Sequence, residues 1–189
     1  MRNKKKELIR KRATSVFARE GYHHATVDMI AEESEVSVGT LYNYFDNKQD
    51  ILEYVFEIEL NKRLGWLQEL KRGEGSLRSK FVSFMDRHFN ELKSNPDTTT
   101  VLMQESRPPS KHSFDTVKEF MNKLPALFAE LIEEAKEEGE VRDIDSQLVS
   151  TAIFEALHGI SEKVVYGEDY DFNCAKKEVV NFYWLGLKK

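Results

Sequence analysis

The chain has 189 residues, 40% hydrophobic and 32% charged, a balance that suits one or two folded domains and excludes a disordered or fibrous class. No run of about 18 apolar residues occurs, so no membrane span is expected. The net charge of −5 argues at first against a nucleic-acid partner, yet residues 1–50 carry nine Lys/Arg against eight Asp/Glu, which leaves −6 for the rest.

Nearly everything reads as helix, with apolar residues recurring at spacings of three and four. The arm MRNKKKELIRKR holds seven basic residues between positions 2 and 12 and one acid, Glu7. Such an arm can meet phosphates while an acidic body stays soluble. No apolar stretch follows it, so it is not a secretory signal, and the lone Cys174 fits a reducing cytoplasm. A first helix is expected over about residues 4–20, with Leu8, Ile9, Ala13, Val16 and Phe17 on one face and Gly21 as its stop. Thr26 caps a short second helix, with Val27, Ile30 and Ala31 inward, and Ser37 caps a short third. Asn47 caps a long fourth helix carrying Ile51, Leu52, Val55, Phe56, Ile58, Leu60 and Leu64. Gly73-Glu74-Gly75-Ser76 reads as a turn, Asn95-Pro96 ends the next helix, and Pro108-Pro109 ends another. A segment from Ser113 to Gly139 holds Pro125, where a kink or break is expected. Asp145 opens a helix to about Tyr166, and a last one covers about residues 173–187. The fold class is therefore all-α, with about nine helices.

Two short helices three or four residues apart have the geometry of a helix-turn-helix. A generic helical hairpin would show a broad apolar stripe on the third helix. Here Leu41 and Phe45 face inward and leave Thr40, Tyr42, Asn43 and Tyr44 outside. Hydroxyl, amide and phenol groups on an exposed face suit phosphate and base-edge hydrogen bonding in double-stranded DNA. Gly39 allows a close backbone approach, and Lys48 adds positive charge nearby.

The stretch TVDMIAEESEVSVGTLYNYFDNKQDIL, residues 26–52, with REGYHHAT before it, resembles the DNA-binding signature of the tetracycline-repressor family. The resemblance implies a third helix in the major groove. It also implies that Thr26, Tyr42 and Lys48 hold phosphates, and that Ser37, Val38, Gly39, Thr40, Asn43 and Tyr44 lie at or near the DNA. Two positions depart from the pattern. Glu35 stands where the turn usually has Gly, a cost of about 1 kcal/mol if the backbone there is left-handed. Val38 replaces a polar or basic residue, which favours a thymine methyl over guanine as its contact.

The expected organisation is a helix-turn-helix DNA-binding domain over residues 1–47 and a helical ligand-binding and dimerisation domain over 48–189, with helix 48–70 connecting them. In AIFEALHGISEKVV, Ala152, Ala156 and Gly159 recur on neighbouring turns, and CAKKEVVNFYWLGL is apolar over much of its surface. These last two helices are the expected homodimer interface, which would place two recognition helices on a palindromic operator. Phe84, Met85, His88, Phe89, Met103, Phe120, Met121, Leu124 and Phe128 are candidates to line a cavity for a small hydrophobic effector, with Arg107 beside them. Gln104, Glu105 and His112, with Arg107, either form its polar end or belong to a solvated loop. The stretches TVLMQESRPPS and AIFEALHGISEKVV are similar to the branch of the family that represses fatty-acid degradation and senses long-chain acyl-CoA. A DNA-binding protein with a filled core and no ligand is the alternative.

An enzyme is not expected: no Gly-rich phosphate loop, HExxH or GxSxG motif or paired Cys/His spacing occurs. No metal or cofactor is expected either, since His23 and His24 are adjacent and cannot share a helix face.

Overall fold

The computed structural model describes residues 2–106, 115–166 and 171–189. Among them are nine helices: α1 (Arg2–Glu20), α2 (Val27–Glu33), α3 (Val38–Tyr42), α4 (Lys48–Arg72), α5 (Leu77–Ser94), α6 (Pro96–Glu105), α7 (Asp115–Glu137), α8 (Ser146–Tyr166) and α9 (Phe172–Leu187). The described residues include no strand, only an isolated bridge between Val141 and Lys188. None of these helices is long and apolar enough to cross a membrane. Pro108-Pro109 and Ser113, read as helix boundaries, lie outside the described residues.

The helix ends follow from capping chemistry. Gly21, at φ 75°, stops α1 and donates its N–H to the Phe17 carbonyl. Thr26 accepts the Met29 N–H at 3.2 Å, Ser37 accepts that of Thr40 at 3.1 Å, and Asn47 accepts that of Asp50 at 3.0 Å. Asp145 caps α8 through the Leu148 N–H, and Asp171 caps α9 through those of Asn173 and Cys174. Glu140, which follows α7, accepts the Leu77 N–H at 2.9 Å, a cap of α5 contributed from far along the chain.

The chain forms two compact units. The first comprises Met1–Glu59 with Asn95–Lys118, and the second Leu60–Ser94 with Glu119–Lys189. The expected division at residue 47 follows the helix-turn-helix. The compact units instead cut inside α4 and add α6 to the first.

In the first unit α1 packs against α2 and α6. Ile9, Ala13, Val16, Phe17, Ile30, Ala31, Leu41, Phe45, Ile51 and Phe56 are buried there. Each such large aliphatic or aromatic side chain contributes roughly 1.5–3 kcal/mol. Leu8, expected on this face, is 41% exposed. It precedes the buried Ile9 by one position, and adjacent residues point about 100° apart on a helix. The Ser15 hydroxyl ties α1 to α6 by donating to Asp97 at 2.5 Å.

In the second unit α9 packs against α5 and α8. Its core joins Phe81, Phe84, Met85 and Phe89 of α5 to Leu124, Phe128 and Ile132 of α7, Ile153 and Leu157 of α8 and Val179 and Val180 of α9. Phe154 touches both Phe84 and Phe128, with ring centroids 5.8 and 5.9 Å apart. Of the kink or break expected at Pro125, the break does not occur, since α7 runs through it as one helix. Proline removes one N–H and costs a helix interior about 3 kcal/mol. The buried Leu124, Phe128, Leu131 and Ile132 offset that cost, and the Pro125 carbonyl accepts the Ser150 hydroxyl at 2.6 Å.

Candidate functional site

The first unit presents α3 as a five-residue helix whose inner side is anchored by Leu41 and, just beyond it, Phe45, both buried. Tyr42 is 50% exposed, Asn43 is exposed, and Thr40 and Tyr44 are half-buried. Ser37 and Thr26 are exposed caps, and Val38 is half-buried at the first position of α3. The Ser37 and Thr40 hydroxyls share a hydrogen bond of 2.8 Å, which fixes both at the start of the helix. Gly39 is exposed, and a Cβ there would meet nothing closer than Ser37 Oγ at 4.0 Å. Packing within the chain therefore does not require glycine at that position. Eight of the nine expected DNA residues thus lie on α3 and its flanks or cap α2.

Lys48 is placed differently. Its ammonium donates to the carbonyls of Tyr22 at 2.6 Å, Ala25 at 2.8 Å and His23 at 3.3 Å, and lies 4.5 Å from the centroid of the Tyr22 ring. Burial lowers its pKa, opposed by the Glu105 carboxylate. Glu105, read from sequence as a possible polar end of an effector cavity, belongs instead to the first unit, where its carboxylate accepts the Tyr22 N–H. Burial raises its pKa against that bond and the nearby His23 and Lys48.

The basic arm is partly committed inside the fold. Arg10 is buried and bidentate to Glu7 at 2.8 and 2.6 Å, Arg12 lies 3.9 Å from Glu33, and Lys6 sits 3.9 Å from the Tyr54 ring centroid. Lys4, Lys5 and Lys11 remain exposed. Sequence reasoning missed these internal partners because they sit on other helices or on the preceding turn.

Of the expected effector residues, Phe84, Met85, Phe89, Leu124 and Phe128 share the core of the second unit, and Phe120 packs against it. Met121 is half-buried on α7. Met103 is buried on α6 in the first unit, apart from that core, and Arg107 and His112 lie outside the described residues. His88 stacks on Phe84, with centroids 6.0 Å apart and planes 8° from parallel, and its Nε2 lies 3.4 Å from Ser161 Oγ. Burial, helped by the charges of Arg63 and His158, lowers its pKa to about 3 and keeps it neutral. Arg63, 1% exposed, lies under the Trp66 and Phe120 rings, at 5.7 and 5.5 Å from their centroids. Sequence reading did not single it out, because an arginine in a charged helix looks like solvent-facing surface.

A capped two-helix motif with a polar outer face, carried on one chain with a separate helical unit that has an aromatic core, defines a helix-turn-helix transcriptional regulator. Residues 9–55 match the family described as bacterial regulatory proteins, tetR family, and residues 74–162 match the tetracyclin repressor-like C-terminal domain. The chain belongs to the tetR family, whose members here are DNA-binding regulators and not enzymes. It is 24% identical over 177 residues to a fatty acid metabolism regulator protein of Bacillus subtilis, covering 93% of this chain and 91% of that one. The fold matches the fatty acid degradation regulator FadR from Bacillus halodurans with a TM-score of 0.86 at 26% identity, over 96% of this chain and 99% of the other. It also matches FadR from Bacillus subtilis in complex with stearoyl-CoA, with a TM-score of 0.82 at 24% identity over 95% and 98% of the two chains.

Proposed function

We propose that this regulator is a cytoplasmic repressor that binds a palindromic operator as a homodimer and is released by a long-chain acyl-CoA. The observation that carries the effector is that the likeness to fatty-acid regulators runs through both halves of the chain, well beyond the helix-turn-helix. The aromatic core of the second unit is chemically suited to an acyl chain.

On the DNA side, Tyr42 and Thr26 hold phosphates, while Ser37, Val38, Gly39, Thr40, Asn43 and Tyr44 lie against the groove. Lys48 holds the carbonyls of the turn before α2 and adds its charge to the same side. The dimer forms through α8 and α9, where Leu148, Phe182 and Leu185 are 67%, 74% and 67% exposed. Beside them the exposed Ala152 and Gly159 permit close helix approach. Effector binding shifts α4, whose residues are divided between the two units. A differential affinity of 1–3 kcal/mol between two states of the dimer changes DNA affinity about 5–150-fold, and DNA changes effector affinity by the same factor.

One observation favours the ligand-independent reading: Phe84, Met85, Leu124 and Phe128 are all buried against one another. A titration decides between the two. Palmitoyl-CoA should raise the melting temperature and release operator DNA in a gel shift at micromolar concentration. If it does neither, the acyl-CoA reading fails and the ligand-independent one stands.

A further inference from the structure

His88 is the one imidazole of the second unit with a closed-off nitrogen that nothing in the protein satisfies: among the described residues its Nδ1 has no hydrogen-bond partner and no accessible surface. The other nitrogen is held only by Ser161, itself fully buried, at a long 3.4 Å. The ring is clamped against Phe84 and lies 5.5 Å from Phe89, so packing fixes its plane. Trp66 meets Phe84 edge-on at 6.5 Å and its ring centroid lies 5.7 Å from the Arg63 guanidinium, so a cation and a neutral imidazole flank one aromatic cluster. Buried polar atoms in native proteins are nearly always paired, and an exception calls for a specific explanation. The residue as a whole is half-buried, whereas Phe84, Met85 and Phe89 around it are buried. Met85 next to Phe84 is unbranched and can yield to an entering chain.

We infer that His88 is the polar anchor of the effector: its Nδ1–H donates to the carbonyl oxygen of a long-chain acyl thioester whose hydrocarbon lies along Phe84, Phe128 and Leu124. In this arrangement Nε2 accepts the Ser161 hydroxyl, which selects the tautomer with the proton on Nδ1. The imidazole stays neutral beside Arg63, and the positive field there favours an electron-rich oxygen over a donor. This inference rests on the acyl-CoA reading above and adds the residue that recognises the acyl carbonyl.

The test compares palmitoyl-CoA with S-hexadecyl-CoA, a thioether of the same length that lacks only the carbonyl. Wild-type protein should bind the thioester about 10-fold more tightly, and His88→Phe should bind both ligands alike, near the thioether value. A 10-fold preference that persists in His88→Phe overturns the inference while leaving the acyl-CoA reading intact. Binding of neither ligand by wild-type protein removes both. A measurement without substitution guards against misfolding of the variant. In protein carrying ¹⁵N-histidine, the His88 Nδ1 resonance should move on adding palmitoyl-CoA and stay with S-hexadecyl-CoA. No difference between the two spectra overturns the inference.

Discussion

The Lys48 ammonium donates to the Tyr22 carbonyl at 2.6 Å, with the carbonyls of Ala25 and His23 also in reach. One side chain at the start of α4 thus satisfies three acceptors in the turn between α1 and α2 and holds the entry to the helix-turn-helix. Lys48→Met should lower stability by about 1–2 kcal/mol, since hydrogen bonds to charged groups are worth more than neutral ones and this one is only partly screened. It should leave the salt dependence of operator binding near the wild-type slope. A slope reduced by about one unit would mean that Lys48 takes a phosphate directly.

Glu35 is the one described non-glycine residue with positive φ, at 54°, in the turn between α2 and α3. The expectation that glutamate replaces a left-handed glycine is therefore met. Glu35→Gly should raise stability by about 1 kcal/mol or less, because relief of the left-handed strain is reduced by the greater freedom of glycine when unfolded. Thermal melting in the absence of DNA checks this.

Tyr42 is half exposed, so its loss costs little packing. Tyr42→Ala should weaken binding to operator and unrelated DNA alike, with a small change in melting temperature. Thr40→Ala and Asn43→Ala should instead change base preference, by roughly 1–3 kcal/mol per lost base contact. Binding to a library of operator variants separates the two behaviours, and unaltered affinity and preference in both would place the recognition face elsewhere.

His88 makes stability fall with acid. Its folded pKa is lowered to about 3 from 6.5, so below pH 6.5 the unfolded chain binds a proton that the folded chain does not. The stability contributed by the neutral imidazole is present above pH 6.5 and is lost as pH falls towards 3. Between pH 7 and 5 wild-type protein should lose about 1–2 kcal/mol more than His88→Phe, read from urea unfolding at each pH.

Phe182 and Leu185 are the exposed large hydrophobic residues of α9 among those whose burial is described. Replacing both with glutamate should convert a dimer into monomers by light scattering, and reduce operator affinity at least 100-fold because two half-sites are no longer engaged together. A persistent dimer would exclude this face as the interface.

Much of the first unit was legible in the sequence because its signals are local. Thr26, Ser37 and Asn47 cap within three residues of themselves, and Gly21 ends a helix by its own backbone freedom. The inward Leu41 and Phe45 follow from helical spacing. Leu8 misled, because a periodicity does not say which edge of a stripe meets the core. At Pro125 the sequence leaves a kink and a break both open, and the side chains buried on either side of it keep α7 one helix.

By itself, then, the amino-acid sequence determined an all-helical chain, several of its helix caps and the polar outer side of α3, all set by interactions over a few residues. Only the tertiary structure decided where the charges and lone polar groups go. It put the Lys48 ammonium on the Tyr22 carbonyl, Glu105 against the Tyr22 N–H, Glu140 on the end of α5 and Arg63 beneath Trp66. Except for the Arg63–Trp66 stack, those contacts join residues more than twenty positions apart. The protonation of His88 belongs with them, because the low-dielectric surroundings that hold it neutral exist only once α5 is packed.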